Sequence, residues 1–153
     1  MDTAATEPEA EVLGIHDCWR YLRTVSVGRI AFNHGDTVEI FPVNYVPVNG
    51  TLLIRSGEGT KLEAAGSRGA MSLEADGMNQ YGTIAWSVVV KGHAAVVSDA
   101  EEVQDAMDAG LSPWQAGPKD NLIRVTPADI TGRRFVIAPP THWWPPLEPE
   151  GPA

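Results

Sequence analysis

Apolar residues in this chain fall in short alternating or continuous runs, broken by glycine, asparagine, aspartate and proline. That is the signature of strands joined by tight turns. Ser26–Phe32 (S-V-G-R-I-A-F) reads as a strand, and N-H-G-D after it as a turn. The next segment, T-V-E-I-F-P-V-N-Y-V-P, is β-rich but contains Pro42. Proline has no N–H to give to a ladder, so this strand is expected at a sheet edge or broken near Pro42. V-N-G at 48–50 forms a second hairpin turn into T-L-L-I-R. Further strands are predicted over Ala70–Ala75, Ile84–Val97, Asn121–Thr126 and T-G-R-R-F-V-I, with Gly92 marking a bend or bulge.

Helical pattern is scarce. A short helix is predicted from Asp17 as N-cap through C-W-R-Y-L-R, with Trp19 and Leu22 on its buried face and Cys18 and Tyr21 at the border. L-E-A-A-G-S, after Thr60, predicts another of about six residues, and Asp99–Ala109, capped by Ser98 or Asp99, a third. Six or seven strands with so few helices argue for a mainly β fold, a closed or partly closed antiparallel barrel. The expected organisation is an acidic, disordered segment at 1–13, a single domain at 14–137 and a proline-rich tail at 138–153.

Composition changes this picture little. The net charge of -9 is concentrated at the ends: Asp2, Glu7, Glu9 and Glu11 at one, Glu148 and Glu150 at the other. Without those six acids, 14 acids face 11 bases. No clustered basic face for nucleic acid is evident. The single cysteine, Cys18, rules out an intrachain disulfide and fits a reducing compartment. The acidic amino terminus lacks the basic and apolar regions of a signal peptide, and no run of 18 apolar residues exists, so a cytoplasmic protein is expected.

Candidate chemistry gathers in L-L-I-R-S-G-E-G-T-K-L-E-A-A, residues 52–65. Thr60 and Glu63 have capping-box spacing, so a helix starting at Thr60 would aim its first N–H groups and its dipole into the loop. Arg55 leaves the strand on one side and Lys61 opens the helix on the other. Gly57 and Gly59 let backbone approach a bulky anion, and Ser56 and Thr60 add hydroxyl donors. These are the parts of a phosphate site. They equally suit a strand-to-helix loop whose charges face solvent, and the segment alone leaves both readings open.

Five motifs in order tip the balance: D-C-W-R-Y-L with V-G-R-I-A, I-F-P-V-N-Y, R-S-G-E-G-T-K-L, W-S-V-V-V-K-G-H-A, and N-L-I-R-V-T-P-A-D-I-T-G-R-R-F. From about Asp17 to Phe135 the chain resembles the pyridoxamine 5'-phosphate oxidase-like family of FMN-binding split barrels, in its compact actinobacterial-type branch. The resemblance implies a split antiparallel β-barrel with a few short helices, a homodimer, and FMN held at the subunit interface. By position, Arg55, Ser56, Thr60 and Lys61 match the residues that grip the FMN phosphate. Pro42, Val43, Asn44 and Tyr45 match the strand beside the isoalloxazine ring, and Trp86 and Ser87 the strand reaching in from the second subunit. Trp114 is a weaker candidate for the wall of the groove.

The implied activity is an FMN-dependent oxidoreductase moving hydride or electrons to or from a small organic substrate, the flavin supplying the chemistry. Relatives using a deazaflavin coenzyme, and a non-catalytic flavin carrier, are the alternatives. Trp86 also reads as a core residue, and Arg133–Arg134 as a surface pair for carboxylates. His16, His34, His93 and His142 share no metal-ligand spacing. Cys18 is expected packed rather than reactive. Trp143 and Trp144 call for an apolar surface to cover, so the tail is expected to fold over the body or a partner.

Overall fold

A computed structural model describes residues 10–56, 67–97, 99–111 and 121–137. Within them lie β1 (Glu11–Val12), α1 (Ile15–Leu22), β2 (Val27–His34), β3 (Thr37–Val48), β4 (Thr51–Ser56), β5 (Ser67–Met78), β6 (Ile84–Val97), α2 (Ala100–Asp108) and β7 (Asn121–Val136). All strand pairs are antiparallel, in the order β1-β7-β4-β3-β2-β5-β6, and a further β6–β7 pairing closes the sheet on itself. The architecture is the mainly β, split-barrel type that the sequence predicts.

The turns do what their residues dictate. Gly35 and Asp36 join β2 to β3 as a two-residue loop, with Gly35 at φ 62°. Asn49 and Gly50 join β3 to β4 with φ of 48° and 73°, the positive pair that Asn-Gly adopts most readily. At Gly92 the β6–β7 register slips, and Ala128 of β7 is the extra residue. A Cβ on Gly92 would run into the Thr126 carbonyl, so the bend needs glycine.

Alternation along the strands fills the barrel with Ile30, Leu52, Ile54, Leu73, Val88, Val90, Ile123 and Val125. A smaller apolar cluster outside it joins Leu53 and Leu122 to Ala106 of α2 and Leu111, with Val46 and Val48 at its border.

Four expectations need correction. The first helix begins at Ile15 with Gly14 as N-cap, and Asp17 sits in its first turn. Its buried pair is Cys18 and Leu22, four apart on one face, while Trp19 and Tyr21 are only partly buried. Residues 11–12, expected within the disordered segment, pair with Arg133 and Arg134 of β7, and the next N–H, of Leu13, donates to the Gly132 carbonyl at 3.0 Å. Finally, the two strands expected after residue 120 are one, because the bulge at Ala128 carries β7 past Pro127. For α2 the cap is Asp99, whose carboxylate accepts from the Glu101 N–H.

Candidate functional site

β3 is unbroken through Pro42, yet that stretch is an edge. Residues 37–44 pair with β2, whereas β4 pairs only with Tyr45–Val48. Beyond the Tyr45–Ile54 pair the strands part: β4 runs on through Arg55 and Ser56 alongside β7, and β3 runs back along β2. Among the described residues, no strand pairs with the 37–44 half of β3 on the far side from β2.

Which backbone groups face that opening depends on one hydrogen bond. The Tyr45 N–H donates to the Ser26 carbonyl at 3.0 Å, towards β2. Backbone polarity alternates along a strand, so odd residues of β3 aim at β2, and Asn44, Pro42 and Ile40 aim into the fork. Pro42 therefore stands where its missing N–H costs no ladder bond.

Side chains alternate as well. Val43 and Tyr45 point inward and are buried, while Pro42 is exposed and Asn44 half-buried on the outer face. Tyr45, 3% exposed, donates its hydroxyl to the Leu22 carbonyl at 2.7 Å and so ties α1 to the barrel. On β4, Leu52 and Ile54 enter the barrel core and Leu53 the outer cluster. Arg55, two residues on, takes the same outer side as Leu53. Asn44 and Arg55 thus stand at the mouth of the fork, one residue past the last β3–β4 pair and on the same face.

Beside this mouth lies a charged group that sequence reading missed. Arg29, cross-strand from Pro42, holds the Glu74 carboxylate at 3.1 Å and that of Asp76 at 3.0 Å through one Nη. Burial, then the neighbouring Asp76, pushes the Glu74 carboxyl up to about 7 against the pull of Arg29. A cleft of about 550 Å³ lined by Arg23, Ser26, Val27, Arg29 and Asp76 adjoins them. Glu74 and Asp76 are two apart and so share a face, but nothing local in the sequence pairs β5 with β2.

Trp86 and Ser87 divide. Trp86 is 6% exposed and stacks on Tyr21 with ring centroids 5.0 Å apart, so within this chain it belongs to the core. Ser87, cross-strand from Asp76, is half-buried on the outer face. Cys18 is fully buried and burial raises its thiol, as befits a packed residue. Arg134 meets Glu11 at 3.7 Å. Ser56 ends β4, while Thr60, Lys61, the loop helix, Trp114 and the tail lie outside the described residues. Among the described residues no helix is long and apolar enough to cross a membrane.

A closed barrel with a forked, polar-mouthed edge defines the class, and comparison with known proteins gives the family. Residues 15–134 match the pyridoxamine 5'-phosphate oxidase family, and the chain belongs to it. A candidate pyridoxamine 5'-phosphate oxidase of Corynebacterium glutamicum has a similar fold, with TM-score 0.75 and 34% identity over 84% of this chain and 100% of that one. The FAD-binding protein of Mycobacterium smegmatis is similar over 82% of this chain and 98% of its own, with TM-score 0.70 and 38% identity. Rv0080, an uncharacterized protein of Mycobacterium tuberculosis, is 32% identical over 125 residues, 78% of this chain and 82% of that protein.

Proposed function

We propose that the chain binds FMN at the β3–β4 fork and is a flavin-dependent oxidoreductase, working as a homodimer on a small organic substrate. The observation that carries this is the fork itself: β3 turns backbone groups outward at Pro42 and Asn44, where Arg55 stands at the mouth. A flat ring with polar edges can lie along such an edge in place of a strand. The backbone groups of Pro42 and Asn44, with the Asn44 amide, orient the ring; Val43 and Tyr45, whose backbone groups face β2 and whose side chains are buried in the barrel, hold the strand in place. Arg55 and Ser56, with Thr60 and Lys61 of the following loop, hold the phosphate. When bound, the flavin supplies the hydride or electron transfer. Ser87 is the outward residue that a second subunit's site can meet, and Trp86 supports its strand by packing.

Similarity to the FAD-binding mycobacterial protein favours FAD as a second reading. The same fork would take the ring, and only the nucleotide end would differ.

An absorption spectrum of the purified protein, before and after added FMN and gel filtration, tests the cofactor. Flavin bands at one per subunit, identified as FMN after heat release, are expected. FAD in the released fraction selects the second reading, and a colourless protein that retains only a deazaflavin overturns both. Arg55→Ala with Lys61→Ala tests the phosphate assignment. Each lost charge-assisted contact is worth about 1.5–3 kcal/mol, so the FMN Kd should rise by at least about tenfold per contact. Riboflavin lacks the phosphate and should bind as before; equal losses for both ligands refute the assignment.

A further inference from the structure

The sequence sets two arginines side by side in T-G-R-R, and the fold sends them to different places. Arg134 meets the Glu11 carboxylate of β1 at 3.7 Å. Arg133 faces the other way: side chains alternate along β7, and Gly132 holds the inward position, where a Cβ would meet the Cys18 sulfur. Arg133 is exposed on the outer face and, among the described residues, has no carboxylate within ion-pair distance. Its cross-strand neighbours are Val12 of β1 and Ser87 of β6. The acid beyond Ser87 on the same row, Asp76, is already held by Arg29 at 3.0 Å.

In the proposed dimer Ser87 of one subunit meets the fork of the other, and the role of Arg133 rests on that reading. Directly opposed residues on one face of an antiparallel pair lie about 5 Å apart, and an arginine side chain reaches much further than a serine's. What Ser87 meets is therefore within reach of Arg133, and two-fold symmetry makes the two sites alike. Charge decides what the guanidinium pairs with. In the proposed site the phosphate has Arg55 and Lys61. The polar edge of the ring has only neutral groups, the backbone of Pro42 and Asn44 and the Asn44 amide. Negative charge gathers at that edge on reduction, and a planar guanidinium suits its neighbouring nitrogen and oxygen acceptors.

We infer that Arg133 of each subunit reaches the flavin in its partner's fork and pairs with the polar edge of the ring. A cation there holds the reduced flavin more tightly than the oxidised one. The two arginines then divide the work, Arg134 tying β1 to β7 and Arg133 completing the site across the interface.

Redox potentials and mixed dimers of the FMN-loaded protein test it. Arg133→Ala removes no ion pair among the described residues, so the fold should survive. Its FMN midpoint potential should fall by at least about 30 mV, the equivalent of an about tenfold loss of preference for the reduced flavin, and that of Arg133→Lys by less. Arg133→Ala subunits are then co-expressed with Arg55→Ala/Lys61→Ala subunits under different affinity tags. The isolated heterodimer has one intact site, made of the fork of the first chain and Arg133 of the second. It should hold one FMN at the wild-type potential. An unchanged potential in Arg133→Ala, a heterodimer whose FMN keeps the lowered potential or is lost, or FMN held by a monomer overturns the inference and leaves the flavin reading standing. A wild type that retains no flavin overturns both.

Discussion

The hydroxyl of Tyr45 is the narrowest link between the helix and the barrel, and removing it is a clean test of how the site strand is held. Tyr45→Phe deletes one atom from a side chain that is otherwise packed on all sides, so no large cavity forms. The bond lost is the 2.7 Å one to the Leu22 carbonyl, at the last residue of α1. Carbonyls in the last turn have no intrahelical partner, and the next two N–H groups bond elsewhere, Arg23 to Trp19 and Thr24 to Tyr21. Burial, with Glu74 nearby, pushes the phenol far above its ordinary value, so it remains a neutral donor. Leaving a buried acceptor unsatisfied costs about 1–3 kcal/mol. For a chain of this length that corresponds to a Tm lower by about 2–4 °C for each kcal/mol. Urea unfolding followed by tryptophan fluorescence should show the midpoint falling at constant slope. Flavin affinity should not change, because the ring is assigned to backbone and to outward residues of β3. A stability loss below about 0.5 kcal/mol would refute the account of Leu22 as a buried, otherwise unmet acceptor.

Two further perturbations probe the frame around the fork. Glu74 has its carboxyl raised from 4.5 to about 7, so the folded chain holds a proton that the unfolded chain releases between those values. Its contribution is full below pH 4.5 and disappears as pH rises through about 7; Glu74→Gln should flatten that part of the stability–pH curve, and an unchanged slope would refute it. Gly92→Ala sets a Cβ against the Thr126 carbonyl, so either β7 shifts or the bulge is lost. A loss above about 2 kcal/mol in urea unfolding is expected, and a neutral substitution would mean that the close approach is not structural.

How much of this was legible depends on whether the cause was local. Pro42 announced an edge, Asn49-Gly50 a hairpin, and the long apolar alternation gave β6 its observed limits at Ile84 and Val97. Each is a property of a few neighbouring residues. The errors share the opposite character. Asp17 looked like a cap because the pattern could not reveal that Leu13 is anchored to Gly132, which starts the helix earlier. Asn121–Thr126 and T-G-R-R-F-V-I read as two strands because the bulge that joins them depends on the facing Gly92. Arg29 lies more than forty residues from Glu74 and Asp76 and meets them only because β2 pairs with β5, a choice no local signal makes.

The fork belongs to both kinds. Its proline is local, but its meaning comes from where β4 goes. Had β4 continued beside β3, Pro42 would have interrupted an inner ladder, and chains selected for stability keep proline out of such places. Instead β4 leaves at Ile54 to follow β7, and the sheet gives up several strand pairs at the point where Asn44 and Arg55 face the same way. Among the described residues no strand flanks the 37–44 half of β3 on the side into which Pro42 is set; the proposed flat, polar-edged cofactor has the right shape to lie there.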